Sequence, residues 1–472
     1  MITLSQSERP LTGTLVIPGD KTATLCAIVL GAISKGITEL TGIVDDADCN
    51  ALIDCLGAMD VQISKSKNDN GEETLSINGR GLYSLKAPRL PLHTTGEFMI
   101  TALICGLLAP QAFRATLEYD ATIDDQSTQR LLAPLTEMGA IIRNDVNESN
   151  TSLQIIGSRL QGLTYNSSVA SVAVKNAILL AGLYANTPCV IREPYPSNDY
   201  IERLLQYFGA DIVTQFESKD DQRSDTDFDG VRSLQEALHF FGDMQKGKPV
   251  ITLTPGAVLR GQQIRIPGDF SFAAYFIAAA LLVQESDIII QNVSMNPRRN
   301  GFIKVLKELG ADIEITARQE QPEPAADLHV RSSSLICPGG ELNISGPLIH
   351  TLTNELPILM MFSIFAKGKT SFRGLSRFCA GTEKRYALMI HHLKAMGAEI
   401  LEEDGDLIII GGHQLHSPTA ETGSAIDTNG DVNIAMSFAI AALALNGNTT
   451  IDDSHCLSDT YSNFFRCLTT LS

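Results

Sequence analysis

Nowhere in the 472 residues does an apolar run approach the ~20 that a membrane-crossing helix requires. Met1 to Pro10 is polar and lacks the basic-then-apolar form of an export signal. These two absences set the expectation of a cytoplasmic protein with no membrane partner. Cys-x-x-Cys pairs are missing too. The nine cysteines, at 26, 49, 55, 105, 189, 337, 379, 456 and 467, are odd in number and scattered, so neither a disulfide frame nor a zinc site is expected. They read as reduced core residues, and no metal or cofactor is called for. Basic residues are scarce, 36 Lys and Arg against 54 Asp and Glu, for a net charge of -18. Nucleic acid would want a basic face, so it is not expected as a partner. The oligomeric state is left open.

What the chain does have is length for two domains and 44% hydrophobic residues to fill two cores. Its organising stretch is Pro18-Gly19-Asp20-Lys21-Thr22. A strand from Gly13 to Pro18 breaks at Pro-Gly and opens an apolar helix with a lysine in its first turn. A cation is out of place at a helix N-terminus unless an anion sits before it. The turn recurs as Pro267-Gly268-Asp269-Phe270-Ser271 and divides the chain in two.

Between and beyond those turns, an apolar helix, a Gly or polar break and a Thr-rich strand recur six times. The copies run from Ala23 to Leu40, Gly96 to Leu117, Ser171 to Arg192, Ser271 to Val293, Asn354 to Leu375 and Asp431 to Asp453. Most are followed by an amphipathic helix that closes on a glycine, such as Gly139, Gly209, Gly310 or Gly397; Asp60 stands at that place in the first unit. A left-handed C-cap is expected there, which Asp tolerates better than most residues. Units of this length suit a βαβαββ fold of the α/β class. The expected domains are 20–267, with a surface insertion at 216–249 carrying a short helix near Leu234 to Phe241, and 1–19 plus 268–472, with hinges at 18–20 and 267–269. The N-terminal strand is expected to complete the last unit. If the six apolar helices aim their N-termini at the partner domain, six partial positive charges converge on one cleft suited to an anionic small molecule.

The six-fold unit, the Pro18-to-Thr22 turn, the runs Glu193 to Arg203 and Asn296 to Phe302, and Asp431-Val-Asn-Ile-Ala-Met436-Ser437 together resemble 5-enolpyruvylshikimate-3-phosphate synthase over nearly the whole chain. The resemblance implies a two-domain enolpyruvyl transferase fold, each domain three βαβαββ units in a six-fold inverse α/β barrel. It also implies two substrates, a phosphorylated cyclohexene carboxylate and phosphoenolpyruvate. By the same resemblance Lys21, Thr22, Ser171, Ser197 and Arg385 are binding residues, and Gly96 matches a family glycine.

Elsewhere the family's pattern is broken. Cys26, Ile100 and Asn433 stand at family arginines, Asp459 at a lysine, Ala173 at a glutamine, Asn198 at an arginine and Glu97 at a threonine. Gly381-Thr382 replaces a Lys-Glu pair, and Asn354 replaces an aspartate base beside Glu355. Two phosphates and two carboxylates at ~5 Å repel by several kcal/mol even at an effective dielectric near 20, so lost cations matter. The main expectation is a divergent relative that binds a shikimate-type ring acid in the cleft and catalyses an altered transfer or elimination, with Glu355 and Asp431 moving protons. Its alternatives are an ordinary 3-phosphoshikimate 1-carboxyvinyltransferase and a non-catalytic binding pseudoenzyme.

Plainer roles suit many of the same residues. Ser171 and Asp431 are natural N-caps, Asn354 and Glu355 suit a capping box, Lys21 can pair with Asp20, and Arg385 can be solvated. Lys175 and Arg299 are further candidate cations. Tyr195 and Tyr200 suit packing, and His391 and His392, adjacent on a helix, face different ways and suit no metal.

Overall fold

The computed structural model describes residues 1–67, 72–120, 122–147, 150–217, 247–375, 383–413, 415–417, 425–452 and 463–471. It divides into two units, one of residues 18–267 with 320–323 and one of residues 1–17, 268–319 and 324–472.

The first unit builds three four-stranded sheets on one plan. Their strands, in spatial order, are 263–265, 35–41, 73–80 and 62–67; 92–93, 114–119, 150–156 and 141–147; and 164–166, 189–192, 248–254 and 211–217. In every one the first two strands are parallel and the rest antiparallel. A parallel pair needs a crossover, and the helix supplying it within a repeat is the apolar one, as in 92–93, Phe98–Leu108, 114–119.

The second unit repeats the plan twice, with strands 12–16, 287–294, 325–331 and 312–319, and with strands 336–344, 367–372, 406–411 and 399–403. Its third sheet, among the described residues, pairs Ile2–Ser5 antiparallel to Asn448–Ile451, with one parallel bridge from Ile426 to Ile451. The N-terminus thus supplies two strands: Ile2–Ser5 joins the last sheet and Thr12–Val16 joins Asp287–Ser294.

The repeated helices are buried on every side. In Lys21–Ile33 all residues from Ala23 onward are buried, and Phe270–Leu282 is buried up to Leu281. A helix apolar all round belongs inside, with the sheets as its cover. Phe98–Leu108 packs on Val172–Gly182 in the first unit, and Val432–Ala444 packs on Phe270–Leu282 and Leu356–Ser363 in the second. The first of these contacts needs a glycine, because a Cβ at Gly106 would lie 2.5 Å from the Ala177 carbonyl oxygen. The amphipathic helices close in the left-handed region where expected, at φ 103° for Gly139 and at φ 70° for Asp60.

The expected insertion is narrower than 216–249. Phe216 and Glu217 end the Asp211–Glu217 strand and pair with Pro249 and Lys248, which begin the Lys248–Thr254 strand. Two-residue alternation in Lys248–Thr254, with Pro249, Ile251 and Leu253 buried and their neighbours more exposed, is the signal that the polar run beside it hides. The short helix expected from Leu234 to Phe241 lies outside the described residues.

Candidate active site

Five of the six apolar helices start on a carboxylate: Asp20, Glu97, Asp269, Glu355 and Asp431 occupy N-cap positions, and Ser171 occupies the sixth. Asp20 accepts from the Ala23 N–H at 2.9 Å, Asp269 from Ser271 and Phe272, and Asp431 from Asn433 and Ile434. Ser171 accepts from Val174 at 3.5 Å, a weak cap. The helix starts therefore spend much of their partial positive charge on the protein's own anions.

In the first unit, Lys21 does not pair with Asp20. Its ammonium sits 2.6 Å from both Asp46 and Asp48. Burial alone would lower its pKa, but hydrogen bonds to the two carboxylates outweigh burial and hold it above the usual lysine range. Asp46 also caps the Ala47–Ala58 helix, and Thr95 donates to Asp48 at 2.5 Å. The sequence signal for this clamp is Asp45-Asp46-Ala47-Asp48, three acids in four residues at a helix start. Asp20 instead takes a hydrogen bond from the Tyr200 hydroxyl at 3.0 Å, so Tyr200 does more than pack. Thr22 is half-buried on the first turn beside Lys21.

Lys175 lies at 2% exposure in a cage of its own. Its ammonium donates to Ser197 Oγ at 2.7 Å, the Asn198 carbonyl at 2.7 Å and Glu202 at 2.9 Å, with Glu193 at 3.5 Å. The Ser197 hydroxyl in turn donates a hydrogen bond to Glu193 at 2.6 Å. Ser197 and Lys175 are both candidates from the sequence; the two glutamates that hold them, Glu193 and Glu202, come from the loop and helix that follow Lys175. Cys26 and Ile100 are both 0% exposed. Burial, reinforced by Asp20, pushes the Cys26 thiol far up, so it is no thiolate, and the Asn176 side chain lies 3.3 Å from its sulfur.

The second unit brings Ser271, Arg299 and Glu355 together. Glu355 is 2% exposed and makes no side-chain cap bond to its own helix, contrary to the capping-box expectation. The Ser271 hydroxyl donates to it at 2.5 Å, and the Arg299 guanidinium lies 3.8 Å away while donating to Ser271. Burial pushes the Glu355 carboxyl up to about 7, against the pull of Arg299 and of the Ser271 hydrogen bond. That is a useful value for a group that must hold and release a proton near neutrality. Asn354 beside it is exposed. Arg385 and Asp431 form an ion pair at 2.5 Å, and the Tyr275 hydroxyl donates to Asn433 at 3.0 Å. Gly381, Thr382 and Asp459 lie outside the described residues.

The family model of EPSP synthase (3-phosphoshikimate 1-carboxyvinyltransferase) matches residues 5–245 and 230–468. The chain belongs to the EPSP synthase family. A relative from Geobacter sp. (strain M21), named 3-phosphoshikimate 1-carboxyvinyltransferase, is 35% identical over 98% of this chain and 97% of its own. One of the same name from Brevibacillus brevis is 32% identical over 99% of both. The solved EPSP synthase of Acinetobacter baumannii superposes with a TM-score of 0.83 at 28% identity, covering 100% of this chain and 98% of that one. The enolpyruvyl transferase NikO of Streptomyces tendae, at 15% identity, TM-score 0.70 and 99% and 97% coverage, shares the fold. As in other members of the EPSP synthase family, the architecture is two-domain α/β. Among the described residues no helix is long and apolar enough to cross a membrane.

Proposed function

We propose that the protein transfers a carboxyvinyl group to a shikimate-type ring acid, with 3-phosphoshikimate and phosphoenolpyruvate as the substrates to offer first. The observation that carries this is Glu355, a carboxyl near neutral pH held by Ser271 and Arg299. Carboxyvinyl transfer takes a proton from a ring hydroxyl and has to place protons elsewhere, which needs such a group. Full-length identity of 32–35% to proteins named for that reaction favours the ordinary transfer over the altered step expected from the replaced arginines. Lys21, Thr22, Ser171, Ser197 and Arg385 are the proposed binding residues. Asp431, spent on a helix start and on Arg385, orients that guanidinium.

A second reading has its own support. Cys26 and Ile100 put fully buried side chains where the resemblance expects guanidinium groups, and Lys21 and Arg385 each face carboxylates. These features favour a related step on the same ring acid without a second phosphorylated substrate. Phosphate release from 3-phosphoshikimate plus phosphoenolpyruvate decides between them. Sustained release that E355Q reduces by about 100-fold or more supports the first. Ring-acid binding without release supports the second, and no binding of any ring acid leaves the non-catalytic reading.

A further inference from the structure

We propose that the unit of residues 18–267 carries a second small-molecule site, one that takes a ring compound bearing a single carboxylate. The site is a cavity of about 270 Å³ whose walls include Ile33, Leu82, Tyr83, Leu183 and Val258. Apolar and aromatic walls with one charged group are the make-up of a ligand pocket, and this volume admits one ring with a short chain rather than a nucleotide. Ile33 ends the Lys21–Ile33 helix and Leu183 caps the end of Val172–Gly182, so the cavity lies roughly 18 Å along each helix from Lys21 and Ser171, which are proposed for substrate. It is therefore a separate site, and it does not depend on the transferase reading.

Tyr83 is 75% exposed, yet its ring is held on one side. It meets the Tyr184 ring edge to face at 5.3 Å, and Tyr184 is itself buried and donates its hydroxyl hydrogen to the Leu82 carbonyl at 2.8 Å. A large aromatic left in solvent but steadied by its neighbours offers a face to a second ring at little entropic cost. Lys35 is the only charged residue among those lining the cavity. A Cβ at Gly81 would lie 3.3 Å from Lys35 Cε, so the bare glycine lets the lysine stem lie along the wall. The two helix C-termini bring partial negative charge to the same place, which disfavours a phosphate or any dianion and leaves Lys35 to match one carboxylate. Gly256, also on the lining, leaves room, with nothing within 4 Å of where its Cβ would stand.

Phenylacetate is the probe, with phenylacetamide as its uncharged match. The chain contains no tryptophan, so Y83W sets a single fluorophore at the cavity while keeping an aromatic face, and phenylacetate should change its emission saturably. Calorimetry on the full-length protein is expected to show that K35M and Y83A each weaken phenylacetate binding about fivefold or more, and that the amide binds more weakly by a similar factor. Lys35 and Tyr83 are both exposed, so these variants should keep the fold. K21M should leave the affinity unchanged. No binding at about 10 mM phenylacetate, equal binding of the amide, or an affinity lost in K21M but kept in K35M would overturn the proposal, the last by placing the probe in the substrate site. Failure to release phosphate from 3-phosphoshikimate and phosphoenolpyruvate would count against the transferase reading alone.

Discussion

Glu355 and Lys175 show opposite ways of carrying a charge inside. Burial raises the Glu355 pKa above its unfolded value, so the stability this residue allows is full below about pH 4.5 and is lost as pH rises through about 7. The lost amount is at most ~3 kcal/mol. The urea midpoint of the wild type should therefore drop relative to E355Q between pH 5 and pH 8, and parallel midpoints across that range would refute the assignment. Lys175, by contrast, is matched by Glu193 and Glu202. Truncating it to Ala removes the buried ammonium that both carboxylates share, and ~3–5 kcal/mol of stability should disappear. Urea unfolding of K175A checks this, and K175A/E202Q should recover part of the loss.

Contact between elements depends on residue size more than on residue chemistry. Phe98–Leu108 approaches Val172–Gly182 closely enough that an added Cβ at Gly106 would reach 2.8 Å from the Ala177 Cα, with backbone rather than a yielding side chain in the way. G106A should cost about 1–3 kcal/mol by separating the helices. An unchanged denaturation midpoint would show that the helices can part freely. The left-handed cap at Asp60 was legible because the same position is glycine in four of the other units and a helix end has few ways to stop. The strand ends at Phe216 and Lys248 were not, since two or three alternating residues beside a polar run carry too little pattern to separate strand from loop.

Across the whole molecule the charge of -18 opposes the approach of an anionic substrate at low ionic strength. Added salt screens that repulsion, so KM for phosphoenolpyruvate should fall severalfold as sodium chloride rises from about 20 to 150 mM. A KM that rises instead would mean that a local positive field, not the net charge, governs capture.

The six-fold repeat, the apolar helices and the family were written in the chain, because residue order alone fixes hydrophobic periodicity, turn chemistry and motif sequence. Individual candidates such as Lys21, Ser197 and Glu355 could also be named from their place in a motif. Their partners could not. Asp46 and Asp48 around Lys21, Glu202 around Lys175, and Ser271 and Arg299 around Glu355 come from positions 25 to 84 residues away, and only packing brings them within hydrogen-bond or ion-pair reach. Whether a charge is buried, and what neutralises it there, depends on distances through space, so the tertiary structure alone decided which of these groups hold protons and which are spent on one another.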